Sequence, residues 1–399
     1  MFAFIAGVPG RLRSLLSRFK GFFTKPQYDN FCRAVLGMIV SGRGEHDVKS
    51  MSQLFVERKR QSSLNRFFTE SRWGVEDVVQ EGGKLLLNEE EIDQSTECKV
   101  VDDAVCRKYG SRTEMVCCNY SSTMGTVLSH DCVTSLYVNN DGVWLQDGLR
   151  LYGSERRCRE RGAEFKTKVQ LACELVDEHR PGAGRTMWLW DSWYMVRDTV
   201  ERCRAHGYSW TGGVRSSRMV FYESRRHRLQ EPVERLLSEG GFHDVVVDGE
   251  SCQACKVEVF TPKIGRASIV MDVRADAKGV HTLCTDLLGC GGVEEVVGHA
   301  LRRGCVDQFY REARFLGLGE YRFRGSEAAL IHALVSLAHA LLDVLRRRLL
   351  RYGVVGKPLS LEAAVEWVRR KTMHFFMRRA REAATEKSTR SILRLIDTS

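Results

Sequence analysis

The sequence predicts an α/β protein, because strand-like apolar runs alternate with helical patterns through the middle of the chain. Val100-Val101 and Met187–Trp190 are short apolar runs that suit buried strands, and an aspartate follows each of them. Between them, the sequence Asn139-Asn140-Asp141-Gly142 predicts a hairpin turn, and residues 165–179 carry apolar side chains at helical spacing. Strand, hairpin, helix and strand in this order indicate an α/β domain.

Changes of pattern divide the chain into five segments. They are a helical region at 1–95, the first part of the α/β domain at 96–207, a β-rich insertion at 208–290, the last part of the α/β domain at 291–345, and a basic helical tail at 346–399. In the first segment, Pro26 suits the first turn of a helix, and the run Ser62–Phe67 suits the start of another with a serine as its cap. Short basic helices of this kind are typical of helix-turn-helix DNA-binding regions.

The positive charge is concentrated at the two ends of the chain. The formal net charge is +10, but residues 1–72 carry +8 and residues 346–399 carry +9, so the middle is acidic, at −7. Basic ends around an acidic centre suit a protein that binds a polyanion such as DNA while its centre holds cations. The alternative is that these charges belong to solvated helix faces.

Composition also bears on the compartment. The fourteen cysteines are irregularly spaced, with one Cys-x-x-Cys motif at Cys252 and Cys255. Buried thiols in a reducing cytosol explain such a pattern, and a zinc knuckle at Cys252 and Cys255 stays open as an alternative. The apolar stretch 328–344 contains two histidines, a serine and an aspartate, which favours a core helix over a membrane span. We expect a soluble, cytoplasmic protein without a membrane partner.

Three acids are candidates for one metal site. Asp103 and Asp191 each follow a strand-like run, and Asp307 lies in a helical pattern. Carboxylates brought together from strand ends and a helix suit Mg²⁺, which prefers oxygen ligands, and two such ions can support phosphodiester cleavage. Each acid also has a structural alternative, namely a turn cap for Asp103, a helix cap for Asp191 and a surface ion pair for Asp307.

Two choices between neighbouring acids depend on geometry. Adjacent residues of a strand point to opposite faces, so only one of Asp102 and Asp103 can face the site well, and we favour Asp103. Glu312 lies about 140° around the helix from Asp307, so these two acids cannot both point into the site. We therefore expect Asp307 as the third acid, with Asp102 as a further metal ligand or a neighbour.

Several short motifs resemble one known family. They are Phe23-Thr24-Lys25-Pro26-Gln27, Ser62-Ser63-Leu64-Asn65-Arg66-Phe67, Asp102-Asp103-Ala104, Lys108-Tyr109-Gly110, Leu149–Tyr152, Phe165–Lys168, Asp191–Tyr194 and Leu316–Tyr321. Their order over residues 20–345 resembles the DDE-superfamily transposases of bacterial and archaeal insertion sequences, in the group with a β-rich insertion between the second and third acids. The third-acid signature of that family aligns with Arg303, Asp307 and Arg314.

The resemblance implies a fold, an activity and roles for individual residues. It implies an RNase H-like catalytic core in which Asp103, Asp191 and Asp307 hold two Mg²⁺ ions, with Mn²⁺ as a possible substitute. Arg303 and Arg314 would hold phosphates near the cleaved bond. Residues of the N-terminal motifs, Lys25 and Arg66 among them, would bind transposon ends. The implied partners are transposon-end and target DNA and further copies of the chain, on DNA at the nucleoid.

The chain departs from the family pattern near the third acid. Asp307 stands where the family has glutamate, Arg314 where it has lysine, and Ala104 where the first motif has threonine. An aspartate is one methylene shorter, and about 1 Å of misplacement can cost roughly 100-fold in rate. This motivates a rival hypothesis, a catalytically impaired or domesticated transposase descendant that binds DNA.

Overall fold

The computed structural model forms two compact units. The described residues are 7–57, 59–89, 96–110, 113–121, 123–139, 143–182, 184–247, 249–274, 279–288, 292–322 and 328–385. The helical unit comprises Met1–Glu91, Cys106–His130 and Tyr310–Ser399, and the sheet unit comprises Ile92–Val105 and Asp131–Phe309. The prediction of a mixed α/β protein is confirmed, and the units combine segments that are distant in sequence.

Helices and strands follow each other in chain order. The helices are α1 (Gly10–Ser17), α2 (Lys25–Val40), α3 (Val48–Gln53), α4 (Gln61–Thr69), α5 (Val75–Leu87), α6 (Glu155–Glu160), α7 (Lys168–Glu178), α8 (Arg197–Ala205), α9 (Gln230–Ser238), α10 (Val293–Phe315), α11 (Ala328–Arg351) and α12 (Leu361–Thr385). The strands are β1 (Thr96–Arg107), β2 (Cys117–Ser121), β3 (Gly125–Val138), β4 (Trp144–Tyr152), β5 (Arg185–Trp190), β6 (Ser209–Gly213), β7 (Met219–Tyr222), β8 (Arg225–Arg228), β9 (His243–Val247), β10 (Glu250–Thr261), β11 (Gly265–Arg274) and β12 (His281–Thr285).

The helical unit is built around α11. This helix packs against α5, α2, α12 and α1. Its segment Ala329–Arg351 is long and apolar enough to cross a membrane, with a mean hydropathy of 1.5, but 78% of that window is buried inside the protein. Such burial is typical of the core helix of a soluble protein, as the sequence predicts.

Caps determine where several helices begin. Thr24 and Gln27 form a reciprocal capping box at the start of α2, with Pro26 in its first turn as predicted. The predicted serine cap of α4 is wrong, because that helix begins at Gln61 and Arg60 precedes it without a side-chain capping bond. Likewise, α7 begins three residues later than the predicted range, since a capping box of Thr167 and Gln170 fixes its first turn.

The sheet unit contains one large mixed sheet. The strand order is β3-β1-β5-β6-β12-β11-β10-β7-β8, with β4 paired to β3 and β9 paired to β10. Strands β1, β5 and β6 run parallel, and the strands from β12 onward pair in antiparallel fashion. The predicted hairpin pair is present as antiparallel β3 and β4, while its turn residues 140–142 lie outside the described residues.

The predicted β-rich segment extends the sheet of the sheet unit. β6 joins β5 in parallel, and β12 pairs with β6, so the pairing continues into β11 and β10. The segment also contains the helix α9. The sequence patterns do not predict this helix. A core of buried aromatic side chains, including Trp188, Trp190 and Trp210, packs in this unit. The α/β strands and the predicted insertion therefore share one sheet.

Candidate active site

Parallel pairing brings the aspartates of β1 and β5 side by side. The register pairs Val100 with Leu189 and Val101 with Trp190, and these apolar side chains are buried. The next residues in this register are Asp102 and Asp191. Both strands are apolar where they pair, because they lie inside the sheet. Asp102 and Asp191 follow directly after this paired apolar run.

Asp191 also caps the turn that follows β5. Its Oδ1 accepts hydrogen bonds from the backbone N–H of Trp193 at 2.9 Å and of Tyr194 at 2.8 Å. Among the described residues these two bonds use only Oδ1. A capping role and a role as a metal ligand through Oδ2 are therefore compatible.

Asp102 and Asp103 meet different helices. Asp103 Oδ2 lies 2.9 Å from Nζ of Lys168 at the start of α7, and its Oδ1 accepts a bond from the Tyr194 hydroxyl at 3.3 Å. Asp102 Oδ2 lies 3.4 Å from Nη2 of Arg303 on α10. Each of the two adjacent acids therefore has its own cationic partner, Lys168 for Asp103 and Arg303 for Asp102.

A fourth aspartate, Asp131, joins this group. It lies on β3, its side chain is fully buried, and its Oδ2 is 2.5 Å from the Lys168 ammonium. Sequence reasoning missed it because it lies within residues 128–138, a β-prone run that ends in no acidic motif. An aspartate in the middle of a buried strand is itself a signal, since buried carboxylates need a charged or hydrogen-bonding partner.

Four carboxylates act on the Tyr194 hydroxyl. Burial raises the pKa of that hydroxyl, and the charges of Asp103, Asp131, Asp102 and Asp191 raise it further. Burial likewise raises the pKa of Asp102 to about 7, against the effect of Arg303. Burial also raises the pKa of Asp131, although Lys168 opposes the shift.

This donor set fits a hard divalent cation. It consists of carboxylate oxygens, the ligands that Mg²⁺ and Mn²⁺ prefer. The burial of Asp131 and the mutual repulsion of the acids make a bound cation favourable, because an opposite charge stabilises the ionised form of a carboxylate.

The candidates for the third acid lie in contrasting surroundings. Asp307 is exposed on α10, one helical turn after Arg303, so both lie on the same side of the helix. Arg303 contacts Asp102. The side of α10 that carries Arg303 and Asp307 is therefore the side next to the Asp102 side chain. Within the described residues Asp307 makes no hydrogen bond or ion pair. Glu312 is buried in the helical unit, and its Oε2 lies 2.6 Å from His339 Nε2 on α11.

The predicted phosphate-binding residues differ in exposure. The Arg303 side chain is 34% exposed and is engaged by Asp102. Arg314 is exposed on α10, Lys25 is exposed at the start of α2, and Arg66 is exposed on α4. All three exposed cations belong to the helical unit.

A second group of possible metal ligands already contains a cation of the chain. Donor atoms of Glu97, Asp147 and His179 lie within 4.8 Å of one another. The Lys99 ammonium contacts Glu97 at 3.1 Å and also contacts Asp147, and its side chain is only 3% exposed. We therefore interpret this acidic cluster as an ion-pair network around an enclosed lysine, which a metal would have to displace.

The zinc alternative at Cys252 and Cys255 is wrong. Both residues lie on β10, three positions apart, so their side chains point to opposite faces of the sheet. Cys252 packs in one core cluster with Val247 and Val270, whereas Cys255 packs in the cluster that contains Trp188. Two thiols on opposite faces cannot bind one ion.

Comparison with known proteins identifies the family. The family model for a DDE superfamily endonuclease matches residues 19–236, which is more than half of the chain. This match includes the aspartates of β1, β3 and β5 and ends before α10. No curated protein matches the chain. The chain has acids at adjacent positions of two paired strands, and the family model matches more than half of its residues. It therefore belongs to the DDE superfamily of endonucleases.

Proposed function

We propose that this protein is a metal-dependent DNA transposase that cleaves transposon ends and joins them to target DNA. The observation that carries the proposal is the group of aspartates from β1, β3 and β5 around the Tyr194 hydroxyl. Burial raises the pKa of Asp102 and of Asp131 in this group, and perturbed carboxylates of this kind are typical of functional sites. Family membership supports a nuclease-type reaction on DNA.

In this proposal Asp103, Asp191 and Asp307 hold two Mg²⁺ ions, with Mn²⁺ as a substitute, in an RNase H-like core. When bound, the ions would supply activation of the attacking oxygen and stabilisation of the leaving oxygen. Tyr194 orients Asp103 through its hydroxyl, and the turn after β5 orients Asp191. Asp102 is the alternative ligand from β1, because it contacts Arg303 of α10, the helix that also carries Asp307.

Cationic side chains would position the DNA. Arg303 and Arg314 are proposed to hold phosphates near the cleaved bond, as arginine binds phosphate through two parallel hydrogen bonds. Lys25 and Arg66 are proposed to hold the transposon end mainly through its backbone. Pairing two ends would require at least two copies of the chain, working on DNA at the nucleoid in the cytoplasm.

The test is cleavage of DNA that carries the terminal repeats of the element. With Mg²⁺ or Mn²⁺, the purified full chain should nick or join this DNA, and Asp103→Asn should abolish the reaction while leaving DNA binding intact. Asp102→Asn is the matched variant. Comparison of cleavage by the two variants shows which acid of β1 the reaction requires. Intact binding without any cleavage in either metal would contradict the activity.

A second candidate function is that of a DNA-binding descendant that no longer cleaves. The exposed aspartate at position 307, where the family has glutamate, favours this candidate, as does Ala104 in the first motif. Asp307→Glu decides between the two functions. Restored cleavage in an otherwise inert protein would support the impaired descendant, whereas cleavage by the wild type that Asp307→Ala removes would exclude it.

A further inference from the structure

We propose that Lys168 occupies a cation position between Asp103 and Asp131, that a divalent ion displaces it, and that Asp131 then serves as a further ligand. This inference rests on the proposed function, because it concerns the same metal site. It adds one acid and one exchangeable lysine to the residues of that site.

The ammonium of Lys168 lies where a cation would bind. Its Nζ is 2.9 Å from Asp103 Oδ2 and 2.5 Å from Asp131 Oδ2, so both carboxylates are directed at one cationic atom. Asp131 is fully buried, so its charge needs a partner. In the absence of a metal the lysine keeps both carboxylates in place despite their repulsion.

Lys168 stands at an unfavourable position of its helix. It is the first residue of α7, and the N-terminus of a helix carries a partial positive charge that repels a cation. The capping box of Thr167 and Gln170 starts the helix without help from this lysine. Helix formation therefore does not explain the lysine, whereas its two carboxylate partners do.

Comparison with Lys99 indicates that Lys168 can leave. Each lysine bridges two acids of the sheet unit, Glu97 and Asp147 for Lys99. The Lys99 side chain is 3% exposed, but the Lys168 side chain is 22% exposed at the edge of the site. A flexible lysine with a path to solvent can be exchanged for a metal ion, whereas an enclosed one cannot.

The first experiment measures the reactivity of individual lysines in the wild-type protein. Brief labelling with an amine-reactive reagent, followed by mass spectrometry, is carried out with and without Mn²⁺. We expect Mn²⁺ to increase labelling of Lys168 several-fold. Labelling of Lys99 should stay low, and labelling of Lys166, a partly exposed neighbour paired with Glu174, should not change.

The second experiment measures Mn²⁺ binding by electron paramagnetic resonance. Lys168→Met removes the competitor, so it should bind Mn²⁺ about fivefold more tightly, the effect of one ordinary ion pair. Asp131→Asn removes a ligand and should weaken binding by about 10- to 100-fold. Lys166→Met is the matched control and should bind as the wild type does.

The outcomes separate this inference from the proposed function. If Mn²⁺ binds but neither Lys168 labelling nor the affinity of Lys168→Met and Asp131→Asn changes, the inference is overturned and the proposed function stands. If Lys168→Met binds more weakly, the lysine supports the site and does not compete for it, which also overturns the inference. If the wild type binds no Mn²⁺, the proposed metal mechanism fails together with the inference. The labelling experiment uses no variant, so a folding defect cannot obscure it.

Discussion

Asp307 and Glu312 show how two acids on one helix can have different roles. Glu312 points into the helical unit and pairs with His339, while Asp307 faces solvent one turn after Arg303. The angle between them around α10 predicts that they do not point the same way, but the burial of Glu312 becomes visible only in the packing of α10 against α11. Their substitutions should therefore affect different properties of the protein.

We predict that Asp307→Ala lowers the cleavage rate by about 100-fold or more, because it removes a proposed metal ligand, and leaves the melting temperature unchanged. Glu312→Gln should instead lower the free energy of unfolding by about 1–3 kcal/mol, since it alters a buried hydrogen bond. Cleavage assays and denaturant titrations of both variants check this. Loss of cleavage in Glu312→Gln at temperatures where it stays folded would point to Glu312 as the third acid.

The segment Leu316–Tyr321 illustrates what a motif does at the level of an element. Gly317 and Gly319 have φ values of +98° and +92°, in the region that favours glycine. A Cβ at Gly317 would lie 2.5 Å from Cγ of His46, whose Nδ1 is itself 2.8 Å from Glu320 Oε2. The motif therefore holds the end of α10 against the loop before α3 within the helical unit.

We predict that Gly317→Ala lowers the free energy of unfolding by about 2–4 kcal/mol, through backbone strain and the clash with His46. Gly356→Ala is the matched control, because a Cβ added there would have no heavy atom within 4 Å and the φ of this glycine is not positive. Denaturant unfolding of both variants checks this. A stability equal to that of Gly356→Ala would mean that His46 moves aside without cost.

The ion-pair network at the start of β1 predicts a dependence of stability on pH. Burial opposes ionisation of Glu97, but the hydrogen bond with His179 and the charge of Lys99 outweigh it and lower its pKa to about 2. An acid whose pKa is lower in the folded state stabilises the protein above its unfolded pKa of about 4.5, and this contribution is lost as the pH falls towards 2.

We predict that Glu97→Gln lowers the free energy of unfolding by about 2–3 kcal/mol at pH 7, and that its difference from the wild type narrows between pH 4.5 and pH 2. Glu164→Gln is the control, because that side chain is 78% exposed and should show neither effect. Denaturant titrations at pH 7 and pH 3 measure both. A difference that does not depend on pH would exclude the ionised network as its cause.

Local patterns in the sequence were enough to predict the strands that carry the acids, but not the acids' neighbours. β5 is a short apolar run followed by Asp191, and the apolar run that identifies β1 is followed by Asp102, although the strand itself continues to Arg107, so the first acid does not lie at a strand end as predicted. Asp131 lies beside Asp103 because β3 is placed next to β1. This pairing is long-range, so no local sequence pattern predicts it. α9 was not predicted for a related reason, since its short pattern gains meaning only from the strands it adjoins.

At the level of the whole molecule, both basic ends of the chain belong to one compact unit. The described helices of the first 72 residues and of the C-terminal part, α11 and α12, lie in the helical unit, while the aspartates at positions 102, 103, 131 and 191 lie in the sheet unit. The sequence showed basic ends and an acidic middle, but their division between units depends on the packing of α11 against α2 and α5. The arrangement supports a division of labour between DNA binding and chemistry.

The concentration of cations in the helical unit makes a prediction for how the DNA-binding constant depends on salt concentration. Each phosphate that a cation neutralises releases counterions, so the logarithm of the binding constant should fall linearly with the logarithm of the salt concentration. Arg66→Ala, on the exposed side of α4, should weaken binding to all sequences alike and reduce the slope by about 1.

The measurement uses Asp103→Asn protein, so that cleavage does not interfere, and compares fluorescence anisotropy titrations at several salt concentrations. Arg156→Ala is the matched control, since this arginine is 79% exposed in the sheet unit and pairs with Glu160, away from the basic ends. An unchanged slope in Arg66→Ala, or an equal loss in Arg156→Ala, would show that the positive charge acts as a diffuse field and that α4 does not contact the backbone of DNA.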